Sequence, residues 1–107
     1  MKTIKIIILV FAFTGLSSSQ WLQQTSGTTQ TLLDVKFPSA LNGFIAGGSN
    51  TFLKTTNGGL NWVTLSVPNM TSINDLDFTD NNTGYICGAD GDISRTTNGG
   101  VNWTKFD

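Results

Sequence analysis

From residue 32 onward, apolar and polar positions alternate in runs of four or five, and each run is closed by Gly, Pro, Asn, Asp or Ser. Leu33, Val35 and Phe37 alternate with Asp34 and Lys36; residues 38–43 then turn, and 44–47 run back. The pattern recurs downstream: Leu76 and Phe78 alternate with Asp75 and Asp77, 80–84 turn, 85–88 pair back, and 89–91 turn into 92–95. In each unit a third strand leads into the shared run T-T-N-G-G-x-N-W, whose Asn-Gly pairs at 57–58 and 98–99 are hairpin signals, and a fourth strand begins at the Trp. A period of two throughout predicts an all-β chain of four-stranded antiparallel sheets.

The strand pattern is itself periodic. Trp21, Trp62 and Trp103 are the only tryptophans and lie at a constant interval of 41 residues (62 less 21, 103 less 62). Residues 34–63 align with 75–104 without a gap, and twelve of the thirty positions are identical. One supersecondary unit is therefore copied, and a period near forty suits the four short strands of a propeller blade. Within the shared run, Asn57 and Asn98 accept a backbone N–H through the side chain and tolerate positive φ, and the glycines supply left-handed backbone. The hydroxyls of Thr55 and Thr96 bond locally. Three residues past Gly59 and Gly100, the rings of Trp62 and Trp103 fold beneath the turn and bury on the order of 200 Å² each, roughly 5 kcal/mol gross.

The runs T-T-N-G-G-L-N-W and T-T-N-G-G-V-N-W resemble Asp-box (BNR) repeats, Ser/Thr-x-Asp-x-Gly-x-x-Trp, with Asn57 and Asn98 in place of the Asp. The enclosing unit, D-x-x-F, then G-[FY]-I-x-G, then the box, is most similar to the photosystem II assembly-factor-like family of seven-bladed β-propellers. That resemblance covers nearly all of the chain after residue 19. It implies a non-enzymatic protein-binding or assembly scaffold and a role in building a membrane photosystem. The structural box residues are Thr55, Asn57, Gly59 and Trp62, and Thr96, Asn98, Gly100 and Trp103.

The repeat divides the chain into 1–19, a signal peptide; 20–31, the outer strand of an incomplete preceding repeat; 32–72, repeat 1; and 73–107, repeat 2. Two blades plus one strand are too few to close a ring, since propellers use about four to eight blades. Three arrangements meet this shortage: a fragment of a longer propeller, which is the leading reading, several copies assembled into a ring, or a stand-alone two-sheet module. Open sheet edges favour self-association.

Composition narrows the function. Six Lys+Arg against seven Asp+Glu give a net charge of −1, which leaves no field for nucleic acid. Lys2 and Lys5 precede the apolar run 6–13, followed by Gly15 and Ser17 to Ser19, the layout of a secretory signal peptide cleaved near Ser19 and Gln20. Eight apolar residues make a helix of about 12 Å, short of a roughly 30 Å bilayer core, so no stable membrane span is expected after cleavage. The product is expected outside the cytoplasm: secreted, periplasmic or on the cell surface. Cys87 is the single cysteine and its counterpart is Ala46, so a buried strand position is expected rather than a reactive thiol. Asn81 and Asn102 lie in N-x-T patterns that accept glycans in a eukaryotic secretory pathway.

The sequence holds no His and no Glu, which removes His-based triads and metal sites. Asp75 with Asp77, and Asp90 with Asp92, are the carboxylate pairs, but Lys36 and Ser49 stand opposite Asp77 and Asp90 in the other copy and nothing converges on them. Residues 75–84 fail the EF-hand pattern, with Asp80 at its sixth position and no Glu, and read as a solvated turn. Sialidases also carry Asp-boxes, and their site uses three arginines and a Tyr nucleophile; one Arg95 and one Tyr85 cannot supply it. No enzyme activity, cofactor or metal is therefore expected, and the partner is a protein or glycan. The alternative is a sialidase- or glycosidase-type propeller fragment whose catalytic residues lie outside these positions.

Overall fold

The computed structural model describes residues 20–106, so the predicted signal peptide lies outside the described residues. Two four-stranded antiparallel sheets follow one another, each with its strands in chain order. The first holds β1 (Leu32–Lys36), β2 (Gly43–Gly47), β3 (Thr51–Thr55) and β4 (Val63–Thr64). The second holds β5 (Asp75–Phe78), β6 (Gly84–Cys87), β7 (Ile93–Thr96) and β8 (Thr104–Phe106). This is the blade-like, incomplete propeller that the alternation and the 41-residue period predict.

The tight turns explain the consecutive order. Between β2 and β3 the backbone reverses through Ser49 and Asn50, with φ of 52° and 59°. One repeat later Asp90 and Gly91 do the same at 64° and 77°, where the chain makes a short 3-10 turn, Ala89–Gly91. Two successive left-handed residues match the right-handed twist of a hairpin, and Ser, Asn, Asp and Gly adopt them at low cost.

The pleat then sorts the side chains. Val35, Ile45 and Leu53 are opposite one another in register and share one face of the first sheet; Ala46 and Phe52 share the other. In the second sheet Leu76, Ile86 and Ser94 share the face turned to the first, and Asp77, Tyr85 and Arg95 share the face turned away. The core lies between the sheets. Phe44, Ala46 and Phe52 enter from one side and Leu76, Phe78 and Ile86 from the other, with Val67 and Ile73 of the connecting segment closing it. Phe44 and Phe78 stack with centroids 3.8 Å apart. A fully buried Phe contributes roughly 1.5–3 kcal/mol, so three of them are the largest single contribution to joining the sheets.

Three features depart from the sequence reading. Cys87 is exposed, not buried, although its counterpart Ala46 is fully enclosed; a sheet packs against β2 and none packs against the outer face of β6. Residues 20–31 form no strand, and Trp21 is fully exposed. A fourth strand needs the third strand of its own blade to bond, and none stands beside it among the described residues. Finally, the box is not a two-residue Asn-Gly hairpin: β3 ends at Thr55 and β4 begins at Val63. Positive φ falls on the paired glycines, Gly58 and Gly59 at 71° and 92° and Gly99 and Gly100 at 69° and 86°, while Asn57 and Asn98 stay outside that region.

Candidate functional site

The two boxes are built alike. Thr55 Oγ1 accepts the N–H of Gly59 at 2.9 Å and of Asn57 at 3.3 Å, and donates to Asn57 Oδ1 at 2.9 Å. Asn57 Oδ1 also accepts the Asn61 N–H at 3.0 Å, while Asn57 Nδ2 donates to Asn61 Oδ1 at 2.9 Å. In the second copy Thr96 bonds Gly100 and Asn98, and Asn98 and Asn102 pair reciprocally in the same geometry. The hydroxyls of Thr55 and Thr96 and the side-chain amides of Asn57 and Asn98 thus act within the loop. The role of Asn61 and Asn102 was missed in the sequence reading, although both fall inside the shared run. With Asn at 57 and 98, the second hydrogen bond runs from its amide N–H to the Asn61 or Asn102 carbonyl, a direction that a carboxylate, which only accepts, cannot supply.

The tryptophans anchor these loops differently. Trp103 Nε1 donates to Gly100 O at 3.1 Å, and its ring stands edge-on to Phe52 and Phe78 at 5.2 and 6.4 Å. It therefore ties the second box to both sheets. Trp62 stands edge-on to Phe37 alone, at 5.8 Å, on the open face of the first sheet. There it walls a cleft of about 450 Å³ with Val35, Ile45 and Gln24.

A second cluster lies where the inner strands β1 and β5 run side by side. Asp34 Oδ2 accepts the N–H of Leu76 at 3.0 Å across the sheets, and Lys36 Nζ lies 3.4 Å from Asp77 Oδ1. The carboxyls of Asp34 and Asp75 share a hydrogen bond, which lowers Asp34 below its ordinary 3.8 and raises Asp75 above it. Burial is the next largest effect and opposes this, while the backbone N–H groups of Leu76 and Val35 lower Asp34 further. Each inner strand is bonded on one side only, to β2 or β6. The cluster therefore combines alternating charge with unpaired strand edges.

The remaining candidates separate. Asp92 is ion-paired to Lys105 at 2.7 Å, and Asp90 is exposed on the 3-10 turn. Asp80 Oδ1 accepts the N–H of Asn82 and of Thr83, each at 2.7 Å, so its carboxylate is used in closing the β5–β6 turn, and those bonds lower its pKa. Tyr85 and Arg95 are cross-strand neighbours on the outer face, and Arg95 lies over the Phe106 ring. No group of three or more metal-ligating side chains occurs among the described residues.

Compared with known families, residues 14–70 match the one described as photosynthesis system II assembly factor YCF48. A solved structure of YCF48 bound to D1 peptide superposes with a TM-score of 0.74 at 27% identity, over 86% of this chain and 30% of that one. The chain thus spans about a third of that protein's length. No curated protein matches the chain.

Proposed function

The chain belongs to the photosynthesis system II assembly factor YCF48 family, and from that premise we propose that it is a non-catalytic scaffold that binds a segment of a client protein. The supporting observation is the fold match to YCF48 bound to D1 peptide, which extends over 86% of this chain. The inner edges of β1 and β5 are the surface we assign to the client. Edge strands accept an extended peptide by backbone hydrogen bonds, and Lys36 beside Asp34, Asp75 and Asp77 offers partners for charges of either sign. A labelled D1 peptide titrated with the chain, read by fluorescence anisotropy beside a scrambled peptide, tests this. Saturable binding that weakens in Lys36→Ala supports the proposal; equal behaviour of the two peptides rejects it.

We further propose export. Lys2 and Lys5 before the apolar run 6–13 support it, and intact-mass analysis of chain recovered from cells checks it. A mature chain starting near Gln20 is the expected species. Recovery of Met1 with the full run attached counts against export.

A further inference from the structure

In an antiparallel ladder every second N–H of a strand faces its bonded neighbour, and the ones between face away. The ladder of β5 on β6 runs on through Thr79 N–H, which donates to Thr83 O at 3.0 Å, in line with the pairing of Asp77 with Tyr85 and of Asp75 with Cys87. The N–H groups of Asp75 and Asp77 therefore face β6, and that of Leu76 faces the inner edge. Val35 holds the same place one period earlier, between Asp34 and Lys36, which pair with Ala46 and Phe44 of β2. A peptide strand laid along either edge needs these inner-facing donors for its carbonyls.

Both donors are already occupied. Asp34 Oδ1 accepts the Val35 N–H at 2.9 Å, and Asp75 Oδ1 accepts the Leu76 N–H at 2.8 Å. Leu76 receives a second carboxylate as well, because Asp34 Oδ2 reaches across from β1 to the same N–H at 3.0 Å. Two carboxyl groups thus crowd one donor, while the neighbouring Lys36 is held by Asp77 at 3.4 Å. Ionised together the two carboxylates repel, so the cap on Leu76 yields to a competing carbonyl more readily than a lone carboxylate does.

We propose that Asp34 and Asp75 gate the client surface: their carboxylates cap the inner-edge N–H groups of Val35 and Leu76, and an extended client segment pairs with β1 or β5 by displacing them. This gate rests on the assignment of the client to these edges. Native sheets blunt their edges with charged side chains, and here the blunting acts on the donor itself. The caps come from the same strands and from the two sheets in contact, so the gate is built wholly from residues 34–76. Asp75 is exposed, and its carboxylate rehydrates once displaced. Opening the gate accordingly costs about the hydrogen bond it breaks, and closing it again needs only the departure of the client.

Anisotropy of the labelled D1 peptide and of its scrambled form tests this with the wild-type chain and two double variants, each with an unchanged near-ultraviolet spectrum. Asp34→Ala with Asp75→Ala removes cap and charge, whereas Asp34→Asn with Asp75→Asn removes the charge and keeps an acceptor oxygen. The alanine variant is expected to bind the D1 peptide roughly threefold to tenfold tighter than wild type, the range of one hydrogen bond released to the client. The asparagine variant is expected to stay near wild type. An alanine variant that binds no tighter overturns the gate, and so does an equal gain in both variants, which charge alone explains. In either case the D1 peptide still outbinds its scrambled form if the client assignment holds; equal binding of the two peptides by every form rejects that assignment and the gate with it. A second measurement needs no variant: at saturating D1 peptide the carboxyl carbon resonances of Asp34 and Asp75 are expected to move while that of Asp80, held in the β5–β6 turn, stays. Resonances of Asp34 and Asp75 that stay in place under saturation overturn the gate.

Discussion

Ser94 is fully enclosed on the inner face of β7, and its hydroxyl finds no hydrogen-bond partner. The counterpart one period earlier is Leu53, which is equally buried and has nothing to satisfy. Leaving a buried hydroxyl unpaired costs about 1–3 kcal/mol, so Ser94→Ala is expected to raise stability by about 1 kcal/mol, seen as a higher urea midpoint at unchanged slope. Asp80 shows the opposite economy of a surface group, because its carboxylate is held by two backbone N–H groups. Its folded-state pKa lies below 3.8, so the unfolded chain takes up the proton first. Stability from this group is therefore present above pH 3.8 and is lost as pH falls through the lower folded value. Asp80→Asn keeps an acceptor but removes the titration, and the acid limb of a stability-versus-pH curve should become shallower.

At the scale of the element, the box turn depends on one hydroxyl and one glycine. Thr96→Val keeps the shape but strands the buried Gly100 N–H, and a loss of about 1–3 kcal/mol is expected in chemical denaturation. Gly100→Ala meets two obstacles at once, φ of 86° and a new Cβ only 2.6 Å from the Phe52 ring. Gly91→Ala has a similar φ of 77° with nothing within 4 Å, so it isolates the backbone strain, about 1 kcal/mol. Gly100→Ala should therefore unfold the chain at clearly lower denaturant than Gly91→Ala. Strand order and the turn residues were legible in sequence because alternation and the T-T-N-G-G-x-N-W run record local geometry. The span of the loop was not. An Asn-Gly pair signals a two-residue hairpin by itself, and only the Asn57–Asn61 side-chain pair shows that seven residues are held between the strands. Cys87 was misjudged for a related reason: its strand and its alternation were read correctly, but whether the outward face is covered depends on what lies beside the sheet.

At the scale of the whole molecule, the two sheets have no separate interiors. Phe44 and Phe52 of the first are buried by Phe78, Ile86 and Trp103 of the second, and the linker adds Val67 and Ile73 to the same cluster. The repeat in the sequence shows two units of equal standing and so suggests two independent folding units, yet the main hydrophobic cluster lies where the two blades and the linker meet. Pulling the sheets apart exposes all three core phenylalanines together, at roughly 1.5–3 kcal/mol each, more than a sheet of seventeen or fewer strand residues holds in reserve at this size. Unfolding should accordingly be a single transition. With Trp21→Phe as background, replacing Trp103 by Phe leaves Trp62 as reporter of the first sheet, and replacing Trp62 by Phe leaves Trp103 as reporter of the second. In each variant the tryptophan fluorescence and the far-ultraviolet signal are expected to share one midpoint and one slope, at a concentration too low for association. A fluorescence midpoint that departs from the far-ultraviolet one in either variant would mean that a blade melts alone, and that the inter-sheet core is not what holds this fold.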